Sequence, residues 1–374
     1  MPGQQRAKHH GDRPAPWESG LVIVDKPGGM TSHDVVARIR RLAHTRRVGH
    51  AGTLDPMATG VLVIGIEKAT RLLGHLMLTE KTYAATIRLG QSTTTDDAEG
   101  EPAGGSPATA VSRDALDKEI AKLTGEILQV PSSVSAIKVN GQRAYKLTRA
   151  GEAPELAARP VTIHEFRVTA SRPEGDFLDV DATIRCSSGT YIRALARDLG
   201  RALETGGHLT ALRRTAVGPY TLAQAHTLET LETQNSSSER PLVSPGPTAT
   251  SPGVPDGAVP EAQPPGTSIG AIGANESPGA PWVTPLAEAA AAAFPRLDLT
   301  AADARRLAQG ARLPLPALWP RGREPAPGTP IAAFAPEGTL IALVTVEAGR
   351  LRSLAVFVDA SQVRAAEPAP WRHG

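Results

Sequence analysis

Cysteine is nearly absent from this 374-residue chain: Cys186 is the only one. A single thiol excludes a disulfide framework and any zinc site built from several cysteines. It suits a reducing compartment, so the expected location is the cytoplasm. Aromatic residues make up 3%, so the core has to rest on valine, leucine, isoleucine and alanine. No apolar run approaches the ~20 residues that a membrane-spanning helix needs. Residues 1–20 are polar and lack an apolar segment, which predicts a disordered leader and no secretory signal. An excess of one charge is also missing, with 40 Lys and Arg against 38 Asp and Glu. That balance excludes a histone-like binder held to nucleic acid by bulk charge. The chain has no phosphate loop of the Walker or dinucleotide type and no Gly-x-Ser-x-Gly elbow. No other histidine or carboxylate stands at metal-ligand spacing from His50, so no metal is expected.

Glycine and proline are abundant, and their distribution is informative. Residues 241–285 hold 11 prolines and 7 glycines, a density that cannot bury enough apolar surface to offset its ordering entropy. This stretch reads as a disordered linker or insertion. It also splits the charge. Residues 1–230 carry 29 basic and 25 acidic groups, and residues 286–374 carry 10 and 8. Two weakly basic lobes therefore flank an acidic middle, and the length fits about two domains.

Strand and helix patterns alternate without a regular βαβ beat. Leu21–Val24 and Val61–Ile66 are apolar runs of strand length, and Asp25–Gly29 reads as a turn. Tyr83, Ala85, Ile87 and Leu89 alternate with smaller or polar residues, as do Leu178, Val180, Ala182, Ile184 and Cys186. Val161–Val168 is a further strand. Helical spacing begins at Ser32, with Val35, Val36, Ile39 and Leu42 on one face, and recurs at Leu72–Met77. Further helices are expected from Ser112 to a stop at Gly125, over Gln142–Ala150, over Tyr191–Leu203 and over Ala301–Gln309. Ile331–Phe334, Leu340–Val346 and Leu351–Val358 read as a small β unit. The fold class is α+β, with an antiparallel or mixed sheet.

The densest chemistry lies in Gly49–Gly60, GHAGTLDPMATG. Glycines permit tight turns and close backbone approach to a ligand. Pro56 pushes Asp55 toward extended backbone. A carboxylate on a rigid loop before a buried strand suits nucleophilic or acid–base work; alternatively, it only closes a turn. Upstream, Arg38, Arg40, Arg41, Arg46 and Arg47 fall within ten residues. They could contact phosphates or simply form a solvated helix face. Arg193 sits in the first turn of its helix, against the helix dipole. A carboxylate partner such as Asp55 would explain it, as would plain exposure. Leu212-Arg213-Arg214 adds another basic pair. Tyr83 is either a core residue or an aromatic surface for a base. His50 is a loop polar residue or a ligand contact. Cys186, on the apolar face of its strand, reads as core.

Six segments in order resemble the TruB family of tRNA pseudouridine synthases. They are Leu21–Gly29 (LVIVDKPGG), Gly49–Gly60, Lys81–Gly90 (KTYAATIRLG), Ser135–Gly151 (SAIKVNGQRAYKLTRAG), Cys186–Arg193 (CSSGTYIR) and His208–Arg214 (HLTALRR). The resemblance spans about 20–230 and implies a pseudouridine-synthase catalytic domain over 21–235. It implies isomerisation of the uridine at position 55 in the tRNA T-loop: the glycosidic bond breaks, the uracil turns, and a C–C bond forms to C5. It gives Asp55 the role of nucleophile or base at the ribose. Tyr83 is matched to a residue that stacks on the target base, and Arg193 to the partner of the aspartate. Tyr191 and Leu212 are matched to the pocket, and His50 to a contact with the opened T-loop. Apart from the resemblance, Arg46 and Arg47, from the basic run just upstream of the Asp55 loop, are expected to contact tRNA phosphates. Residues 286–374 resemble the PUA-like β domain that grips tRNA. One departure stands out: the family shows Thr-Asp-Thr where this chain has Thr93-Thr94-Thr95, so the carboxylate at Thr94 is missing. No cofactor is implied, the partner is the tRNA T-arm stem-loop, no membrane is involved, and a monomer is expected. The competing readings are a synthase for another RNA, such as rRNA, and an RNA-binding or tRNA-folding protein with secondary catalysis.

Overall fold

A computed structural model describes residues 17–132, 156–235, 280–314 and 325–363, with the backbone of 138–139, 142–143 and 236–238. Two sheets organise it. The larger has 11 strands. Its main members are β1 (Gly20–Lys26), β2 (Val48–Ala51), β3 (Thr59–Ile66), β4 (Lys81–Leu89), β5 (Gly125–Gln129), β6 (Arg159–Glu174), β7 (Phe177–Cys186) and β8 (Gly207–Val217). The order from one edge is β1-β3-β8-β4-β7-β6-β5, with His226–Thr227 outside β1. The β3–β8 pair is parallel and the other pairs in that run are antiparallel, so the α+β class with a mixed sheet holds.

The hydropathy of each strand follows from what covers its faces. On β4, Tyr83, Ala85, Ile87 and Leu89 enter the first core together with Val180, Ala182 and Ile184 of β7. Three helices supply the other wall: α1 (Ser32–Leu42), α2 (Arg113–Lys122) and α3 (Ile192–Ala202). Val35, Ile39, Leu116, Ile120, Leu195 and Leu199 face the sheet from them. The opposite face of β4 and β7 is solvated and holds ion pairs such as Arg88–Asp179 at 2.7 Å. That asymmetry produces the alternating pattern.

β1 and β3 differ because both of their faces are covered. Val22, Val24, Leu62 and Ile64 belong to the first core. Leu21, Ile23, Val61 and Val63 belong to a second core with Ala290, Phe294, Phe334, Leu343 and Phe357. The C-terminal region thus packs against the back of the large sheet through α5 (Leu286–Ala293) and a five-stranded sheet. That sheet comprises β9 (Arg296–Asp298), β10 (Ile331–Phe334), β11 (Leu340–Glu347), β12 (Arg350–Val356) and the two-residue strand Leu313–Pro314, with α6 (Ala301–Ala308) beside it. The Tyr220 hydroxyl donates to the Ala289 carbonyl at 2.8 Å, and His75 meets Phe294 edge-on at 6.5 Å.

Several expectations change. The N-cap of α1 is Thr31, not Ser32; Thr31 and Asp34 form a reciprocal capping box. Asp25 and Lys26 continue β1, and the turn starts after them. The helix expected at Leu72–Met77 is one turn, Leu73–Leu76, preceded by a 3-10 turn at Glu67–Arg71. α2 is capped by Ser112 as expected, but Gly125 opens β5. Gln142–Arg143 is a strand paired with Lys138–Val139, and the rest of the expected helix 142–150 lies outside the described residues. So do residues 1–16 and 241–279. The flanks of those two segments are built into the fold. Trp17 packs edge-on against Trp282 at 5.6 Å, and Thr284–Pro285 pairs with β1. The boundaries 1–20 and 241–285 are therefore too wide: an apolar tryptophan at each flank has found a core.

Candidate active site

Asp55 lies between β2 and β3, where β8 replaces β2 as the neighbour of β3. β2 pairs with Val63–Ile66, whereas β8 pairs with Thr59 and Gly60. The chain in between must arch away, and it is held at several points. The Leu54 amide donates to the Ser32 hydroxyl at 2.9 Å, which itself donates to the Leu54 carbonyl at 3.1 Å. This is the role of Ser32 that replaces capping. The Pro56 carbonyl accepts from the Gly29 amide at 2.8 Å and from the Lys26 ammonium at 3.1 Å. Lys26 also donates to the carbonyls of Pro27 at 2.8 Å and Met30 at 2.7 Å. Burial lowers its pKa to about 8, against the opposing pull of Asp55.

Register lines up the remaining parts. Lys26 faces Gly60 across β1–β3, Gly60 faces Arg214 across β3–β8, and Arg214 faces Tyr83 across β8–β4. One row across four strands thus carries Lys26, Gly60, Arg214 and Tyr83. Gly60 has φ +97°, and a Cβ there would stand 2.2 Å from the Arg214 carbonyl oxygen; only glycine permits so close a crossing.

Arg193 reaches Asp55. Its Nε lies 3.0 Å from Asp55 Oδ2, and its side chain is 5% exposed against 37% for the carboxylate. The expectation of a carboxylate partner holds, and the exposed-arginine alternative falls. A second carboxylate, Asp97, stands 3.3 Å from Arg193 Nη1, and the Thr95 carbonyl accepts from Nη1 at 3.0 Å. Burial pushes the Asp55 carboxyl above its ordinary value and Asp97 adds to this, while Arg193 and Lys26 pull it down. The result is a half-exposed carboxylate whose proton affinity is raised yet whose orientation is fixed, as a nucleophile or base requires.

The other expected site residues distribute unevenly. Tyr83 is 8% exposed, and burial raises its phenol pKa, with Arg214 opposing through charge and a hydrogen bond. Leu212 is buried in the first core and also lines a cavity of about 480 Å³ with Met57, Thr59 and Arg213. Tyr191 is the N-cap of α3, its backbone amide and carbonyl gripped by the Gln129 side chain at 2.9 and 3.1 Å. His50 lies beside the loop, edge-on to His33 at 5.5 Å, and burial lowers its pKa. Arg46 and Arg47 are exposed, and Arg47 approaches Glu67 at 3.5 Å. Arg38 pairs with Glu232 at 3.4 Å, and Arg40 donates to the Val48 carbonyl at 3.0 Å. The basic run is thus partly spent on the protein's own structure. Thr94 keeps its loop ordered through backbone and hydroxyl bonds with Glu101 at 2.9 and 3.1 Å.

Sequence reasoning missed Asp97 and Gln129, left Lys26 inside the Asp25–Gly29 turn and named Arg214 without a role. Asp97 carries no local signal, because its contact with Arg193 spans about a hundred residues. Among the described residues, no group of three or more His, Cys, Asp or Glu is arranged to hold a metal ion. No helix among them is long and apolar enough to cross a membrane.

Comparison with known proteins gives a consistent result. The model of the TruB family pseudouridylate synthase N-terminal domain matches residues 40–192. The tRNA pseudouridylate synthase B C-terminal domain matches 193–246, and the C-terminal model of tRNA pseudouridine synthase II matches 294–358. The interval 247–293, which holds most of the Pro/Gly segment, falls between the matches. A tRNA pseudouridine synthase B of Arthrobacter is 52% identical over 92% of this chain and 98% of its own length. That of Thermobifida fusca is 52% identical over 90% and 98%. The fold is shared with a chain of the crystal structure of a Cbf5-Nop10-Gar1 complex, at 22% identity and TM-score 0.64, covering 96% of this chain and 94% of that one. The identity over nearly the whole length, together with the matched domains on both sides of the Pro/Gly segment, shows that the chain belongs to the TruB family of pseudouridylate synthases.

Proposed function

We propose that this protein isomerises uridine to pseudouridine in tRNA, at position 55 in the T-loop, with Asp55 acting at the ribose. The observation that carries this reading is the Asp55–Arg193 pair at 3.0 Å on a loop clamped by Lys26 and Ser32, in a chain of this family. The reaction cleaves the N1–C1′ bond, turns the uracil and joins C5 to C1′. The C5 proton is lost and N1 ends protonated, so no net oxidation or hydrolysis occurs and the chemistry needs no cofactor. Its physical obstacle is access: the target base must leave its stack, at a cost of a few kcal/mol.

The remaining residues fit that demand. Tyr83 offers an aromatic surface for the extruded base, and Tyr191 and Leu212 complete the pocket. Arg193 orients the Asp55 carboxylate and balances its charge. His50 is beside the catalytic loop, where it can meet the opened T-loop. Arg46 and Arg47 are exposed and can approach phosphates of the T-arm, Arg47 by leaving its 3.5 Å approach to Glu67. The C-terminal lobe serves as a PUA-like grip on the tRNA, and the Pro/Gly-rich segment joins it to the catalytic domain. The enzyme acts as a monomer in the cytoplasm.

The test is Asp55→Asn, assayed on a T-arm stem-loop by binding and by chemical mapping of pseudouridine. The variant is expected to bind within a few-fold of wild type and to form no detectable product. A variant that still isomerises uridine removes Asp55 from the chemistry. A wild-type protein that binds the stem-loop but never modifies it is an RNA-binding module instead.

A further inference from the structure

Arg214 has an environment that its place on a central strand does not explain. It is 1% exposed, among the largest fully buried side chains. Among the described residues no carboxylate pairs with its charge. Its guanidinium is spread over main-chain oxygens: Nε donates to Val61 at 2.8 Å, Nη2 to Gly52 at 3.0 Å, and Nη1 approaches Thr53 at 3.5 Å. Gly52 and Thr53 lead into the arch that carries Asp55, and Val61 follows it. One planar fork therefore ties together both ends of the catalytic loop. A Cβ at Gly52 would already stand 3.4 Å from Nη1, so the loop lies directly against the fork.

The same guanidinium acts on the Tyr83 phenol, its neighbour across β8–β4. The other charged and titratable groups that feel it are Lys26, His50 and Lys81, and its charge weighs against protonation of each. A buried cation without an anion, set among other cations, is costly to desolvate, and an apolar residue of similar volume is often the more stable occupant of such a position. What an apolar residue could not do is hold three carbonyls and a phenol at fixed separations.

We propose that Arg214 is a positioning residue for the isomerisation, locking the Asp55 loop and the Tyr83 side chain into one rigid unit so that carboxylate and aromatic ring meet the extruded nucleotide at a set distance. The proposal rests on the reading of function above. Arg214 touches no reacting atom; it acts through the loop and the tyrosine. Lysine cannot replace it, because a compact ammonium lacks the planar fork.

The experiment compares wild type, Arg214→Lys, Tyr83→Phe and the double variant. It uses thermal melting, affinity for a T-arm stem-loop and single-turnover pseudouridine formation under saturating enzyme. Arg214→Lys is expected to fold and to bind within about threefold of wild type, while its single-turnover rate falls roughly 10- to 100-fold, as for a catalytic group displaced by about 1 Å. The double variant is expected to be no slower than the slower single variant within about threefold, because a unit is lost only once. If the lysine variant does not fold, Arg214→Gln, which keeps an amide donor, takes its place in the cycle. A folded variant with the wild-type rate overturns the proposal. So do additive effects of the two substitutions, and so does unfolding of both Arg214 variants, which would leave the residue a purely structural role. Wild type that is inactive on the stem-loop would instead overturn the functional reading itself.

Discussion

Asp55 is pulled in two directions, and the balance has consequences for pH. Burial and the nearby Asp97 raise its pKa, and Arg193 with Lys26 lowers it, leaving it above the ordinary 3.8. In the proposed mechanism the ionised form is the one that acts at the ribose. The rate is therefore lost as pH falls through the raised pKa, and the acid limb lies above the ordinary aspartate range. Single-turnover rates between roughly pH 4 and pH 8 should place it there; a limb at or below the ordinary value would contradict the assignment. Stability has the opposite sign. A carboxyl that binds its proton more tightly when folded destabilises the fold once ionised, so stability falls as pH rises through its unfolded and then its folded pKa. Asp55→Asn should accordingly melt no lower than wild type at neutral pH, the pattern of a site held at a cost to stability. Asp55 was legible in the sequence because glycines, a histidine and a proline crowd around it. Asp97 was not: its neighbours Thr95 and Asp96 look no different from an ordinary polar turn, and only its contact with Arg193 distinguishes it.

Strands were most legible where one face alone is buried. Alternation marks β4 and β7 in full, and continuous apolar runs mark β1 and β3, which lie between two cores. β8 was missed as a strand although it is central. Its register shifts between Leu209 and Ala211 and again between Arg214 and Ala216, and each irregularity breaks the period of two on which the pattern depends. The same strand sets the crossing with β3. Gly60→Ala would combine backbone strain at positive φ with a collision against Arg214 backbone. A loss of at least about 3 kcal/mol is expected, read as a lower denaturant midpoint, together with loss of isomerisation as the row from Lys26 to Tyr83 shifts. A variant of normal stability would mean that β3 and β8 can move apart, and the row would then not be rigid.

Two clusters of apolar residues join the lobes into one body. The C-terminal region shares a core with the back of β1 and β3, and Trp17 touches both Trp282 and, through Nε1 at 3.2 Å, the Asn235 side chain on α4 (Leu228–Ser238). Both flanks of the 241–279 segment are thereby gathered at one place. Replacing 241–279 by a short Gly/Ser linker should change the melting temperature by no more than about 2 °C and leave activity on a stem-loop within about twofold, because closing a shorter flexible loop alters the entropy only modestly. Trp282→Ala, just beyond that segment, should by contrast cost about 3 kcal/mol as a buried aromatic is removed. Equal effects of the two changes would show that the boundary at 280 is misplaced. By itself the sequence determined the α+β class, the loop that bears Asp55 and the break in composition after the first lobe, because these rest on local spacing and composition. Only the tertiary structure decided that Arg193 faces both Asp55 and Asp97, that Arg214 clamps the loop, and that the lobes share a core. Each of those facts depends on strand register and on contacts between residues far apart in the chain, which local patterns do not encode.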